Sequence, residues 1–319
     1  MFFVIGVIAG FILALQNPIN SKLGSTINSP FKASILSFTV GTITLFVVSI
    51  LSGGNLISNI NKALSYNQPW WIWVGGIFGA FYLTSNVLLF SKIGAVQTVI
   101  LPTLGMILMS TIIETFGLFY VNKIPLTVSR IVGLIVLLFG IYVAVVVANR
   151  SSKTIANELL LKEKEGEIQF TFWHIWGIAA GMFASIQQAL NGHLGIQLGN
   201  AIQSSLISFI LGTIAIILFT FIKEKNIFPE KENIVKIPWW GYIGGILGSI
   251  YVFTLAFLVP KIGPGLAISL GIIGTITGAA VVQQFGFFKS PQKNIKLTQI
   301  IGVILMILGI VIIKGIIKI

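Results

Sequence analysis

Apolar residues fall in ten long runs, at about 2–20, 31–51, 69–90, 95–120, 128–148, 172–190, 201–222, 238–259, 264–288 and 297–316, separated by polar or Gly/Pro-containing breaks. A helix needs about 20 mostly apolar residues to cross a bilayer, so each run predicts a transmembrane helix. Many runs are rich in Ile and Val. In lipid that does not argue for strands, because each run is long and a helix satisfies its own backbone. The first run has no basic stretch before it and ends in Gln16, Asn17 and Pro18 instead of a small-residue cleavage site, so it reads as a retained span.

The pattern occurs twice. Gly6, Gly10, Gln16, Asn20, Leu23 and Gly24 match Gly177, Gly181, Gln187, Asn191, Leu194 and Gly195, and Ser34, Ser37, Phe38, Gly41 and Thr42 match Ser205, Ser208, Phe209, Gly212 and Thr213, all 171 positions on. After a two-residue slip the offset is 169. Pro69, Trp70, Trp71, Gly75, Gly76, Gly79 and Tyr82 then match Pro238, Trp239, Trp240, Gly244, Gly245, Gly248 and Tyr251, and Phe116, Gly117, Gly133 and Gly140 match Phe285, Gly286, Gly302 and Gly309. Five spans per copy is an odd number, so the second copy must enter the membrane upside down. The expected architecture is an all-α membrane protein of ten helices, built as two inverted five-helix repeats, a plan common to secondary transporters. Residues 1–148 form the first repeat, 149–171 a charged linker and 172–319 the second repeat.

Composition agrees with lipid as the solvent. Of the 319 residues 55% are hydrophobic and only 9% charged, against about 25% charged in soluble domains. Cysteine is absent, which excludes disulfides and thiolate metal sites, and the two histidines, His174 and His193, are too few for a histidine-rich metal site. No metal and no cofactor is expected. The formal net charge of +12 would suggest nucleic acid on a soluble protein, but here the basic residues lie mostly between the apolar runs, where they report topology and contact with anionic headgroups. Fourteen of the 20 lysines and arginines fall on the side of the linker and six on the other. By the positive-inside rule the linker is cytoplasmic and both termini lie outside a multi-pass protein of the plasma membrane.

Polar residues inside the apolar runs are the candidate site. Gln16 and Asn20 share a helix face, and Gln187 and Asn191 repeat the spacing. Such amides either glue helices together or line a substrate cavity. Tyr82 and Tyr251 lie near the centres of the third and eighth runs, with Ser85 and Asn86 continuing the Tyr82 face. Glu114 is the only acid well inside a span, about 10 Å from its centre. It can mark a proton or cation path, or cap a helix contact; its counterpart is Gln283. The expected substrate-binding set is therefore Gln16, Asn20, Tyr82, Asn86, Gln187, Asn191 and Tyr251, with Glu114 for proton or cation coupling. Glycines four apart, at Gly6/Gly10, Gly75/Gly79, Gly177/Gly181, Gly241/Gly245 and Gly274/Gly278, predict tight helix contacts. The tryptophan pairs Trp70/Trp71 and Trp239/Trp240 read as interfacial belts, and Lys92 and Lys261 as snorkelling anchors.

The glycine-rich first helix running into Gln16-x-x-x-Asn20-x-x-Leu23-Gly24, then Ser34-x-x-Ser37-Phe38-x-x-Gly41-Thr42, resembles the DUF606 (YdcZ-like) family of the drug/metabolite transporter superfamily, as does the fourth-run acid before Phe116-Gly117-Leu118-Phe119. In the second copy Gln283-Gln284-Phe285-Gly286 stands where the acid is expected. The resemblance implies a ten-helix inverted-repeat bundle that exports a small organic metabolite or drug-like solute. Ten-helix relatives in the wider superfamily commonly keep both termini inside; the charge count of this chain points the other way. The function expected is secondary-active transport by alternating access, coupled to protons through Glu114, in a monomer or homodimer. A passive channel or structural membrane subunit is the alternative. An intramembrane enzyme would need a metal cluster, paired carboxylates or a nucleophile with its base, and the runs hold none of these. No P-loop is present for direct ATP drive.

Overall fold

The structure, a computed structural model, describes residues 1–53, 55–147, 167–290, 292 and 294–313; of residues 90–97 and 167–171 it describes the backbone alone. Among the described residues there are helices and turns and no strand. In chain order the helices are α1 (Phe2–Ile27), α2 (Pro30–Leu51), α3 (Leu56–Ser65), α4 (Gly75–Phe116), α5 (Val128–Ile141), α6 (Glu167–Leu198), α7 (Ala201–Glu224), α8 (Lys231–Val235), α9 (Ile243–Ile262), α10 (Pro264–Phe285) and α11 (Leu297–Ile313). Among the described residues seven helical segments are long and apolar enough to cross a membrane, and Gly75–Leu89 and Leu297–Ile313 are shorter apolar helices.

Several boundaries differ from the sequence reading. The helix α1 continues past Pro18 to Ile27, because packing on neighbouring helices buries Ile19, Asn20, Leu23 and Gly24 beyond the proline. The helix α6 begins at Glu167, inside the expected linker 149–171, and runs to Leu198; residues 148–166 lie outside the described residues. A surface helix, α3, occupies the connection after α2, started by Asn55 accepting from the backbone N–H of Ser58 and tied to α7 through Asn59 and Gln203 at 2.8 Å.

The backbone of α4 is helical over the third and fourth apolar runs, yet it doubles back. Leu89 and Leu101 both lie against Gly177, whereas a straight helix would hold residues twelve apart at about 18 Å. The first arm runs antiparallel to α6, with Gly75 near Asn191 and Gly79 near Gln187. The second runs parallel to it, with Pro102 near Gly181 and Ser185 bonded to the carbonyl of Met106 at 2.7 Å. In the second half the same path is divided by Gly263, whose φ of +81° only glycine adopts at low cost, into α9 and α10.

The most extensive helix contacts join the two halves: α4 with α6, α1 with α10 and α9, α5 with α11, and α2 with α7. These contacts are reciprocal. Gly177 meets Leu89 and Leu101, while Gly6 meets the matching Leu258 and Leu270. A Cβ on Gly76 would strike the carbonyl of Ser208, and one on Gly245 the carbonyl of Ser37. Gly133 approaches Gly309 while Gly140 approaches Gly302. Equivalent residues even touch one another: the rings of Phe38 and Phe209 lie 5.0 Å apart, and the hydroxyls of Thr42 and Thr213 3.1 Å. Self-contact of this kind marks a local two-fold relation. The halves interlock into one packed body, and the four-residue glycine spacings serve the close helix approach that the sequence suggests.

Candidate solute site

A cavity of about 60 Å³ lies where the halves meet. Its walls come in matched pairs: Gln16 with Gln187, Phe38 with Phe209, Gly79 with Gly248, and Tyr82 with Tyr251. Of the seven residues expected to bind substrate, Gln16, Tyr82, Gln187 and Tyr251 line it; Asn20, Asn86 and Asn191 do not. The rest of the lining is apolar apart from Ser37 and Gln188, and no Asp, Glu, Lys, Arg or His contributes.

Each amide is placed by a glycine of the other half. A Cβ on Gly79 would collide with the Gln187 amide, and one on Gly248 with that of Gln16. One turn away, Gly75 makes room for Asn191 and Gly244 for Asn20. The two rows then diverge. Ser208 accepts hydrogen bonds from both Asn191 Nδ2, at 3.1 Å, and Gln187 Nε2, at 3.3 Å. Asn191 thus glues α6 to α7 while Gln187 reaches the cavity. In the first half the buried Oδ1 of Asn20 has no hydrogen-bond partner. The Oδ1 of Asn86 is likewise buried without a hydrogen-bond partner, and Ser85 accepts from the indole of Trp176 at 3.0 Å.

Glu114 stands apart from the cavity. It is 2% exposed and forms an ion pair with Arg130, itself 5% exposed. Its Oε1 accepts from the backbone N–H of Gly265 at 2.7 Å, in the first turn of α10, where the helix dipole favours an anion. Arg130 also donates to the carbonyl of Ile124 at 2.8 Å, and Ile124 N–H returns to the Glu114 carbonyl at 2.8 Å. The sequence reading counts Arg130 only among the six cations opposite the linker. The signal it missed lies in the repeat: at offset 169, Glu114 and Arg130 correspond to Gln283 and Gln299. Both charges are exchanged together for amides.

Two further groups complete the picture. Trp71 stacks on Tyr120 at 5.6 Å, and Tyr120 on His193 at 4.5 Å, with His193 in reach of Gln68 at 3.2 Å. Within each tryptophan pair, Trp70 and Trp239 are 76% and 78% exposed, as belt residues should be, while Trp71 and Trp240 pack on aromatic rings. Lys261 lies over the Phe257 ring at 4.6 Å, consistent with an anchor; the Lys92 side chain is outside the described residues. Among the described residues no cluster of His, Cys, Asp and Glu could hold a metal.

A family model described as "Putative inner membrane exporter, YdcZ" matches residues 1–143 and 172–312. No curated protein sequence matches the chain. A solved crystal structure, titled only as that of a protein, aligns with 98% of this chain and 96% of its own at a TM-score of 0.62 and 15% identity. That likeness concerns the fold alone.

Proposed function

The chain belongs to the YdcZ family of inner membrane exporters, and from that premise we propose that it carries a small organic solute outward across the cell membrane by alternating access around the cavity between Tyr82 and Tyr251. The observation that carries this reading is a cavity walled by matched residues of both halves. Rocking one half against the other would open such a cavity to either side in turn. The reciprocal helix contacts support ten spans in two inverted repeats, and one chain supplies both halves, so no second copy is required. The lysine and arginine distribution supports a cytoplasmic linker and external termini.

For Glu114 the geometry favours a clasp over a proton carrier. Its charge is already balanced by Arg130 and the α10 N-terminus, and the half that lacks the acid also lacks the arginine. Replacing Glu114 with Gln tests this. A proton carrier would lose the pH dependence of transport; a clasp would lose stability first.

The transport reading is tested by counterflow. Ligands found by thermal-shift screening of the purified protein would be radiolabelled and followed in proteoliposomes. Saturable uptake accelerated by unlabelled ligand inside is the expected result. Linear, unsaturable flux would replace the transporter with a channel.

A further inference from the structure

We propose that Gln188 is the recognition group of this cavity, and that its ligand is a small uncharged solute presenting an N–H or O–H donor on an otherwise apolar body. The proposal rests on the reading that the cavity is the solute site. Gln188 is 4% exposed and lines the cavity, and its Oε1 is buried without a hydrogen-bond donor from the protein. A buried amide carbonyl without a donor is unfavourable by the desolvation it has suffered, and a ligand donor removes that penalty.

Gln188 also breaks the local symmetry. Its counterpart at offset 171 is Asn17, which faces away from the protein interior and is exposed. The paired residues Gln16 and Gln187, Tyr82 and Tyr251 would accept a solute in two opposite poses with little preference. One unmatched acceptor selects one pose. Sequence comparison of the repeats passes over Gln188 because it looks for what the copies share.

Charge is excluded by the rest of the wall. Among the described residues no lining side chain apart from the two tyrosines can ionise, and the buried Glu114, which stands apart from the cavity, is already paired with Arg130. An ionic solute would lose its hydration without gaining a counter-ion. The body of the solute meets Phe38, Phe209 and the two tyrosine rings. A cavity of about 60 Å³ is less than half of the roughly 150 Å³ that holds benzene, so this conformation is a contracted one and a ring-sized ligand must widen it.

A series that keeps one phenyl ring separates the terms: benzamide, N,N-dimethylbenzamide, benzoate and benzamidinium, measured by equilibrium binding to the full chain in detergent. The dimethyl amide is also bulkier, and the Gln188 variants separate its size from its missing donor. Benzamide is expected to bind at least roughly tenfold more tightly than the other three. Gln188→Leu should weaken it roughly three- to tenfold, the span of one neutral hydrogen bond, without changing N,N-dimethylbenzamide. Gln188→Glu should reverse the order in favour of benzamidinium, which keeps the question decidable if the leucine variant does not fold. Equal binding across the series, a Gln188→Leu variant that leaves benzamide affinity unchanged, or a Gln188→Glu variant that leaves the order unchanged overturns the proposal. Flux of labelled benzamide into proteoliposomes is followed in parallel. Saturable flux indifferent to Gln188 removes only this inference, whereas binding through Gln188 without flux removes the transport reading instead.

Discussion

Glu114 and Arg130 can be replaced in a way the chain itself has already tried. The second half carries Gln283 and Gln299 at the same places, so the double change Glu114→Gln with Arg130→Gln converts one end of the protein to the chemistry of the other. The single changes are the harsh ones. Glu114→Gln leaves a guanidinium that is 5% exposed with only the Ile124 carbonyl to satisfy it. Breaking one side of a buried ion pair costs about 3–5 kcal/mol. Arg130→Gln strands a carboxylate that keeps the Gly265 N–H at 2.7 Å, and a hydrogen bond to a charged group returns about 1.5–3 kcal/mol of that loss. The double variant has no charge left to strand, and removing a whole buried pair is often near neutral. Expected losses are therefore about 3–5 kcal/mol for Glu114→Gln, about 1–3 for Arg130→Gln, and less for both together than for Glu114→Gln alone. Unfolding of the four proteins in detergent micelles measures the cycle, and proteoliposome transport against pH is read beside it. Additive losses below about 1 kcal/mol each would refute the clasp. So would a double variant that folds well yet loses a pH dependence the native protein shows.

Glycine substitutions test the reciprocal packing. Gly76→Ala and Gly245→Ala each drive a methyl into a backbone carbonyl of the other half, so each should destabilise by about 1–3 kcal/mol or more; unequal effects, measured by thermal unfolding, would speak against matched contacts. Ser208→Ala removes one acceptor from two buried amides; a loss of about 1–3 kcal/mol and a higher KM for transport are expected, against no change for Ser34→Ala, whose hydroxyl bonds only within α2. The native absence of cysteine makes orientation direct to read. In intact cells an impermeant maleimide should label Asn67→Cys and spare Asn226→Cys until the membrane is opened, both residues being exposed in turns; the opposite pattern would invert the proposed topology.

The helical plan was legible because span length and the period of the apolar runs are local properties of the chain. The boundaries were less so. Pro18 looked like an end for α1, but a proline in a buried helix is tolerated when neighbours satisfy the backbone, and α1 continues to Ile27. Duplication was legible from shared glycines, and it led to four of the seven helices that wall the cavity, through Gln16, Tyr82, Gln187 and Tyr251. The same reliance on matching hid Gln188, whose counterpart Asn17 faces away. Glu114 was found by its charge, but its partner was not. Arg130 lies sixteen positions on, at the start of the next helix, and only the packing of α5 brings it to the acid. The differing fates of the two amide pairs depend on another helix: Ser208 of α7 ties down both Gln187 and Asn191, while Asn20 Oδ1 has no such partner.

Under the proposed inverted arrangement, identical halves would make the outward-open and inward-open states mirror each other in energy. Direction of transport would then follow from concentrations alone. The departures from identity are therefore where a bias must reside, because only a contact that differs between the two states shifts their populations. Two such departures are prominent. Gln188 lines the cavity itself, so under the proposed reading it would set what binds and in which pose. The Glu114–Arg130 pair lies at one end, fastened to the first turn of α10, while the neutral amides Gln283 and Gln299 stand at the corresponding places of the other half. If opening at the Glu114 end separates α10 from α4, it must break a charge-assisted bond that opening at the other end leaves intact. With the proposed topology, which puts Glu114 in the outer half of its span, the closed clasp would stabilise the state open to the cytoplasm, in which an exporter would collect its solute. The double glutamine variant would relax that bias, raising access to the cavity from outside while leaving affinity for the ligand unchanged.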